Sequence, residues 1–126
     1  MEVNRAKIMK ITISGNSMYP SLKGDDEVTI DQNCSFQIGR IYVFQDEDKK
    51  LICHRLIGEN VFKGDNSLLS EHVETDKVIG MVTKKNGNSV NYKRAKAIVY
   101  LSKLNSREHW GATRRMARAL LLIIAS

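Results

Sequence analysis

The chain has 126 residues, of which 42% are hydrophobic and 27% charged. This length and composition predict one folded domain with a modest core, and they exclude a disordered chain. No stretch reaches the ~20 apolar residues of a bilayer-spanning helix, and the apolar run at 119–125 is less than half that long. Residues 1–10 contain no long apolar segment of the kind found in a secretory signal.

The net charge of +6 is unevenly distributed along the chain. Residues 1–83 contain ten Lys and Arg against thirteen Asp and Glu, whereas residues 84–126 contain ten Lys and Arg against Glu108 alone. A basic tail of this kind favours binding to an anionic partner, and the three candidates are a membrane surface, a nucleic acid and an acidic peptide. The alternative is that the charges form the solvated face of a terminal helix.

The first three-quarters of the chain have the pattern of β-strands. Residues 8–13 alternate between apolar and polar, and residues 27–30 form a short apolar run after a turn. Segments 41–44 and 51–57 flank a polar stretch at 46–50, which predicts a hairpin. A second hairpin is predicted from segments 78–83 and 89–92, which flank Asn86-Gly87-Asn88.

From residue 94 the apolar spacing becomes helical. A second helix is predicted from residue 107 to residue 124, with Gly111 as a weak point and three arginines near one face. The predicted fold class is therefore mostly β, with a β domain at 1–93 and a basic helical tail at 94–126 that packs on it or extends from it.

The segment SGNSMYPSL at residues 14–22 is the first candidate for chemistry. Ser17 follows a predicted strand, Gly15 allows close approach of a substrate backbone, and Pro20 stiffens the chain and removes one donor. Such a segment can hold a hydroxyl outward while nearby N–H groups receive an oxyanion. On composition alone, an ordinary turn is the favoured interpretation, because Gly, Asn, Ser and Pro are typical turn residues.

A nucleophilic serine needs a base, and His54 on the strand at 51–57 is the candidate, since an imidazole accepts a proton near neutral pH. His72 and His109 are predicted to be exposed in a loop and a helix. Cys53 adjoins His54, but neighbours on a strand point to opposite faces, which favours a core thiol over a nucleophile. Cys34 and Cys53 form no CxxC motif and are predicted to be free thiols.

A carboxylate should orient the imidazole, and two are candidates. Asp65 lies in Gly64-Asp65-Asn66, and Glu71 follows six residues later. Spacing alone does not choose between them.

Together these segments resemble the catalytic region of the signal peptidase I superfamily, whose fold is shared with self-cleaving bacterial repressors. The resemblance runs in order through five segments of residues 11–83: SGNSMYPSL, GRIYVF, CHRLIG, KGDNSLLSEH and VIGMV. It implies coiled antiparallel sheets, with Ser17 as nucleophile and His54 as base in the histidine variant found in archaeal and endoplasmic-reticulum-type enzymes. Asp65 matches an acidic position of the family directly and is the favoured third member, with Glu71 second.

The resemblance also implies a serine endopeptidase that needs no metal or cofactor. Its partner would be a signal or leader peptide, bound as an added strand, with small residues before the scissile bond. Typical relatives carry membrane anchors, which are not recognised in this chain. The basic tail predicts contact with a membrane surface, which leaves a cytoplasmic or membrane-associated location, and nucleic acid is not expected.

Two other function classes compete with the peptidase. A self-cleaving repressor is disfavoured because the base position is not lysine and no DNA-binding segment precedes residue 14. The second class is a non-catalytic module that keeps the fold and uses its basic tail to bind membrane or nucleic acid.

Overall fold

The computed structural model describes residues 8–106 and 111–125. The alternation of apolar and polar residues in the first 90 residues gives antiparallel strands. The strands are β1 (Ile8–Thr12), β2 (Glu27–Asp31), β3 (Ile41–Gln45), β4 (Leu51–Gly58), β5 (Val61–Lys63), β6 (Ser70–His72), β7 (Val78–Lys85) and β8 (Asn88–Ser89). A single turn of 3-10 helix, Thr75–Lys77, precedes β7, and the helices α1 (Ala95–Leu104) and α2 (Gly111–Ile124) follow the sheet.

The described strands form one sheet in the order β1-β2-β7-β3-β4-β5-β6, with β8 paired to β7. Every pairing is antiparallel. The register shifts in β2–β7 and β3–β7 add local twist, because a bulge increases the right-handed twist of a strand. The sheet coils enough for residues of β1 and β4, which are not neighbours in it, to line one common groove.

Two apolar clusters pack on the sheet. The larger cluster joins residues of β2, β3, β4 and β7 with the segment that follows β1, and it consists of Ile13, Met18, Leu22, Val28, Ile30, Ile41, Val43, Cys53 and Val82. The smaller cluster contains Tyr42, Phe44, Leu56, Phe62 and Val73. β3 and β4 therefore contribute to both clusters, as expected of strands that are covered on both faces.

The two helices pack on each other through a third cluster, formed by Ile98, Leu101, Ala117, Leu121 and Ala125. α1 also contacts β4. Among the described residues, no helix is long and apolar enough to cross a membrane.

The prediction of a mostly β fold with a helical tail is confirmed. The strand predicted at 89–92 is wrong beyond Ser89, because β8 pairs with β7 only at Asn88 and Ser89. The chain leaves the sheet there, and the Tyr92 hydroxyl donates instead to the Val82 carbonyl at 2.6 Å. The described part of the second helix begins at Gly111; residues 107–110, including His109, lie outside the described residues.

Candidate active site

Ser17 lies in the segment that follows β1, between two residues of the chain that anchor it to the core. Ile13 and Met18 are buried in the larger cluster, whereas Ser17 itself is exposed. Gly15 has a φ of +81°, a left-handed conformation that glycine adopts without strain. The Tyr19 N–H donates to the Asn16 carbonyl at 3.1 Å, which closes the turn that presents the Ser17 hydroxyl.

His54 lies in the middle of β4, where it pairs with Tyr42 of β3. The residue is 9% exposed, and the Phe44 ring stands edge-on to the imidazole at 6.0 Å between centroids. His54 Nε2 lies 3.2 Å from Ser17 Oγ. The coiled sheet thus brings together a hydroxyl and an imidazole that are 37 positions apart in the sequence.

Glu71 occupies the other side of the imidazole. It lies on β6, where it pairs with Phe62 of β5, and its carboxylate contacts His54 Nδ1 directly. The Glu71 side chain is 41% exposed, so water reaches the carboxylate on its outer side. A carboxylate at Nδ1 favours the tautomer that leaves Nε2 free to accept a proton from the hydroxyl.

Asp65, the favoured orienting carboxylate, does not contact the imidazole. Its carboxylate accepts from Arg55 Nε at 2.9 Å and from Arg55 Nη2 at 2.8 Å, a bidentate pair. It also accepts from Ser21 Oγ at 2.7 Å. Arg55 Nη1 donates to the Gly39 carbonyl at 2.6 Å. The preference for Asp65 is therefore corrected in favour of Glu71, because Asp65 is bound on both oxygens within a buried ion pair.

The turn at residues 64–67 touches both the serine and the histidine. A Cβ built on Gly64 would lie 2.4 Å from the Ser17 carbonyl oxygen and 3.0 Å from His54 Nε2, so only glycine fits. The Asn66 N–H donates to the Ser17 carbonyl at 2.8 Å, and its side-chain amide donates to the Asn16 carbonyl at 3.1 Å. Sequence reasoning treated this segment only as a source of Asp65 and missed the role of Asn66.

A backbone donor for an oxyanion is present beside the hydroxyl. Within residues 8–106 and 111–125, the backbone N–H groups of Ser17 and Met18 donate to no protein acceptor. An N–H next to a nucleophile that is not used by the fold is available to a developing negative charge.

A groove of about 450 Å³ runs past Ser17 between the end of β1 and the start of β4. It is lined by residues 11–14, Ser17 and Met18 on one side and by residues 50–53 on the other. Among the described strands, β1 pairs only with β2, and β4 pairs with β5 only from Arg55 onward. Both walls of the groove therefore carry strand edges that can accept an extended peptide.

Cys53 lies in the groove wall, but its thiol is a poor nucleophile. Burial raises the pKa of its thiol to about 12, so the thiolate is scarce near neutral pH. Cys53 packs in the larger cluster, while its neighbour His54 stands beside Phe44 of the smaller one. Both cysteines are free thiols.

His72, predicted to be exposed in a loop, is exposed but lies at the end of β6, apart from this site. His72 Nε2 lies 3.0 Å from Glu74 on the exposed surface. In the described part of the chain, no group of three or more His, Cys, Asp and Glu side chains is arranged to hold a metal ion.

Ser17, His54 and Glu71 thus form a connected hydroxyl–imidazole–carboxylate series beside a groove with free strand edges. In chemical terms, the series can deprotonate an alcohol and stabilise the resulting imidazolium. The model of the family described as peptidase S24-like matches residues 1–79, which is more than half of the chain. Neither the curated proteins nor the solved structures contain a match.

Proposed function

The chain belongs to the peptidase S24-like family, and from this membership we propose that it is a serine endopeptidase with Ser17 as nucleophile and His54 as general base. The single observation that carries the proposal is the 3.2 Å approach of His54 Nε2 to Ser17 Oγ beside the groove. The histidine at this position, rather than a lysine, supports the variant of the superfamily expected from the sequence.

In the proposed reaction a peptide binds as an extended strand in the groove. His54 Nε2 takes the proton of Ser17 Oγ, and the oxygen attacks the scissile carbonyl carbon to form a tetrahedral intermediate. The Ser17 N–H donates to the oxyanion, and Glu71 at Nδ1 stabilises the imidazolium. The intermediate collapses to an acyl-enzyme as His54 gives its proton to the leaving amine.

Deacylation uses the same groups in the reverse sense. A water molecule gives a proton to His54 and attacks the acyl carbon, and the intermediate releases the new carboxyl end and restores the Ser17 hydroxyl. The proposed steps use these side chains, the Ser17 backbone N–H and water.

We further propose that the substrate is a signal or leader peptide with small residues before the scissile bond. The resemblance to signal peptidases suggests this class, and a groove of about 450 Å³ with two strand edges fits an extended peptide of this kind. The Met18 and Cys53 side chains fill part of the groove wall, which favours small side chains next to the nucleophile.

Mass spectrometry of a peptide library incubated with the protein tests the proposal. Peptides with Ala, Gly or Ser before a common bond should be cleaved by the wild type. Ser17→Ala and His54→Ala should each lower the rate ~10⁴-fold or more. Ser89→Ala, an exposed serine on β8, is the matched control and should cleave at the wild-type rate. Cleavage that survives Ser17→Ala would overturn the proposal.

A second proposed function is contact with an anionic membrane surface through α2. This helix buries Ala117 and Leu121 against α1, yet on its outer side Met116 is 65% exposed and Leu120 40% exposed. Arg115 and Arg118 are exposed on the same helix, whose sequence contains no acidic residue. A second copy of this surface would place arginines against arginines, whereas anionic lipid complements both the charge and the apolar side chains.

Sedimentation with vesicles tests the membrane proposal. The protein should bind vesicles rich in phosphatidylglycerol and not vesicles of phosphatidylcholine alone, and Met116→Ser with Leu120→Ser should abolish the binding. Ser17→Ala should bind as the wild type does, since the two sites are separate. Binding to DNA but not to anionic vesicles would overturn it. Vesicle binding in a protein that cleaves no peptide would favour the non-catalytic module.

A further inference from the structure

The turn that touches Ser17 and His54 is held from behind by α1, and we propose that Ser102 and Asn105 of this helical segment are positioning residues of the active site. The inference rests on the proposed peptidase function and concerns the same site. It assigns a role at the reaction centre to the C-terminal segment, which lies beyond the family match at residues 1–79.

On the side that faces Ser17 and His54, the turn at residues 64–67 is closely packed. Gly64 is packed so closely that an added Cβ would lie 2.4 Å from the Ser17 carbonyl oxygen and 3.0 Å from His54 Nε2. The Asn66 N–H holds the same Ser17 carbonyl at 2.8 Å. A displacement of this turn is therefore transmitted to the Ser17 backbone through the hydrogen bond from the Asn66 N–H.

On the opposite side, the turn is held by polar contacts to α1 and to Asn105, the residue that follows the helix. Lys63 Nζ donates to Ser102 Oγ at 2.9 Å and to the Gly64 carbonyl at 3.2 Å. Asn105 Nδ2 donates to the Asp65 carbonyl at 3.3 Å. The Asp65 carbonyl is thus held by Asn105, and the Gly64 carbonyl, which also accepts from the Ser67 N–H at 3.0 Å, contacts a lysine whose ammonium is bound to the helix through Ser102.

These contacts are inside the protein, where they are not exchanged for water. Lys63, Asp65 and Asn105 are each 1% exposed and Ser102 is fully buried. Burial lowers the pKa of the Lys63 ammonium to about 8. Burying this charged group therefore lowers the free energy of unfolding. An aliphatic side chain would fill this space at less cost, but it would not tie the Gly64 carbonyl to Ser102.

The spacing of the two positions fits a single role. Ser102 and Asn105 are three residues apart, so they project from the same face at the end of α1. Both reach the segment 63–65, which leads directly into the contacts with Ser17. The helix therefore sets the distance between Ser17 Oγ and His54 Nε2 through the turn, and a misplacement of about 1 Å can cost ~10²-fold in rate.

Substitutions on this face of α1 test the inference, with controls on other faces. Ser102→Ala and Asn105→Ala each remove one contact to the turn. Lys103→Ala changes an exposed residue between them, and Leu121→Ala removes a buried side chain between α1 and α2 without touching the turn. For each variant, kcat and KM are measured on a peptide that the wild type cleaves, and stability is measured by urea unfolding.

A second readout does not depend on cleavage. The His54 Nδ1–H proton, held by Glu71, gives an NMR signal whose exchange with water reports how firmly the imidazole is fixed. We expect Ser102→Ala and Asn105→Ala each to lower kcat about 10-fold or more, with KM changed less than about 2-fold, and to speed this exchange about 10-fold. Lys103→Ala and Leu121→Ala should change kcat and exchange by less than about 2-fold.

The inference is overturned if both Ser102→Ala and Asn105→Ala keep the wild-type kcat and exchange rate. It is also overturned if Leu121→Ala, at an equal loss of stability, lowers kcat as much as they do. If Ser102→Ala fails to fold, the kcat and exchange rate of Asn105→Ala alone decide whether the inference holds. If the wild type cleaves no peptide, the peptidase proposal fails by itself, and the exchange rates alone decide whether the helix positions His54.

Discussion

Replacing Asp65 and Glu71 each by its amide separates the carboxylate that stabilises the fold from the one that faces the imidazole. Asp65 is 1% exposed and contacts the Arg55 guanidinium at 2.9 and 2.8 Å. Asp65→Asn keeps the size but removes the negative charge, and Arg55 at 2% exposure has no water to replace it. Breaking a buried pair of this kind costs about 3–5 kcal/mol of the free energy of unfolding, or roughly 10–20 °C in Tm for a chain of this size.

Glu71→Gln should behave in the opposite way. Its side chain is 41% exposed, so losing the charge should change the free energy of unfolding by less than about 1 kcal/mol. Cleavage should fall ~10²- to 10⁴-fold, because a neutral amide cannot stabilise the imidazolium and can donate to Nδ1, which selects the wrong tautomer.

Urea unfolding followed by circular dichroism and peptide cleavage under native conditions measure the two effects separately. Asp76→Asn is the matched control for the loss of one carboxylate charge, since its side chain is exposed on the 3-10 turn before β7. The reasoning is refuted if Asp65→Asn unfolds at the wild-type urea concentration, or if Glu71→Gln cleaves as fast as the wild type.

Three further results are expected. The pKa of Lys63 falls from its ordinary 10.5 to about 8 through burial, so at Lys63 the unfolded chain binds more protons between these values, and this group alone should raise stability by about 3 kcal/mol across that window. The Cys53 thiol, whose pKa rises from 9.0 to about 12, opposes this rise above pH 9, so the Lys63 contribution is measured in urea unfolding as the pH-dependent difference between the wild type and Lys63→Met. Gly64→Ala should lower cleavage at least ~10²-fold, because its Cβ would collide with the Ser17 carbonyl, whereas Gly58→Ala, with its nearest contact at 3.7 Å, should cleave normally. Iodoacetamide at pH 8 should leave Cys53 unmodified in the folded protein by mass spectrometry, since burial raises its pKa to about 12; rapid modification would contradict the burial argument.

The strands were predictable because they depend on local patterns, whereas the approach of Ser17 to His54 was expected from the resemblance of five ordered segments to a known superfamily. Alternating apolar residues specify a strand face, and an ordered series of short segments restricts where a nucleophile and a base can lie. The strand predicted at 89–92 failed because its residues are also compatible with a chain that leaves the sheet, and the Tyr92 hydroxyl bond to the Val82 carbonyl holds them there.

The choice between Asp65 and Glu71 could not be made from the sequence. His54 and Arg55 are adjacent on β4, so their side chains leave opposite faces of the strand, and each of them takes one carboxylate. Which carboxylate reaches which side depends on the pairing of β5 with β6, which places Glu71 opposite Phe62. Sequence separation contains no information about that register.

The sequence by itself determined the mostly β architecture and the basic helical tail, because these follow from periodicity and charge. The tertiary structure decided which groups meet: Glu71 with the imidazole, Asp65 with Arg55, and the end of α1 with the turn beside Ser17. Contacts between residues 39 or 40 positions apart arise from the packing of whole elements, and a buried lysine or asparagine is recognisable only once its partners are in place.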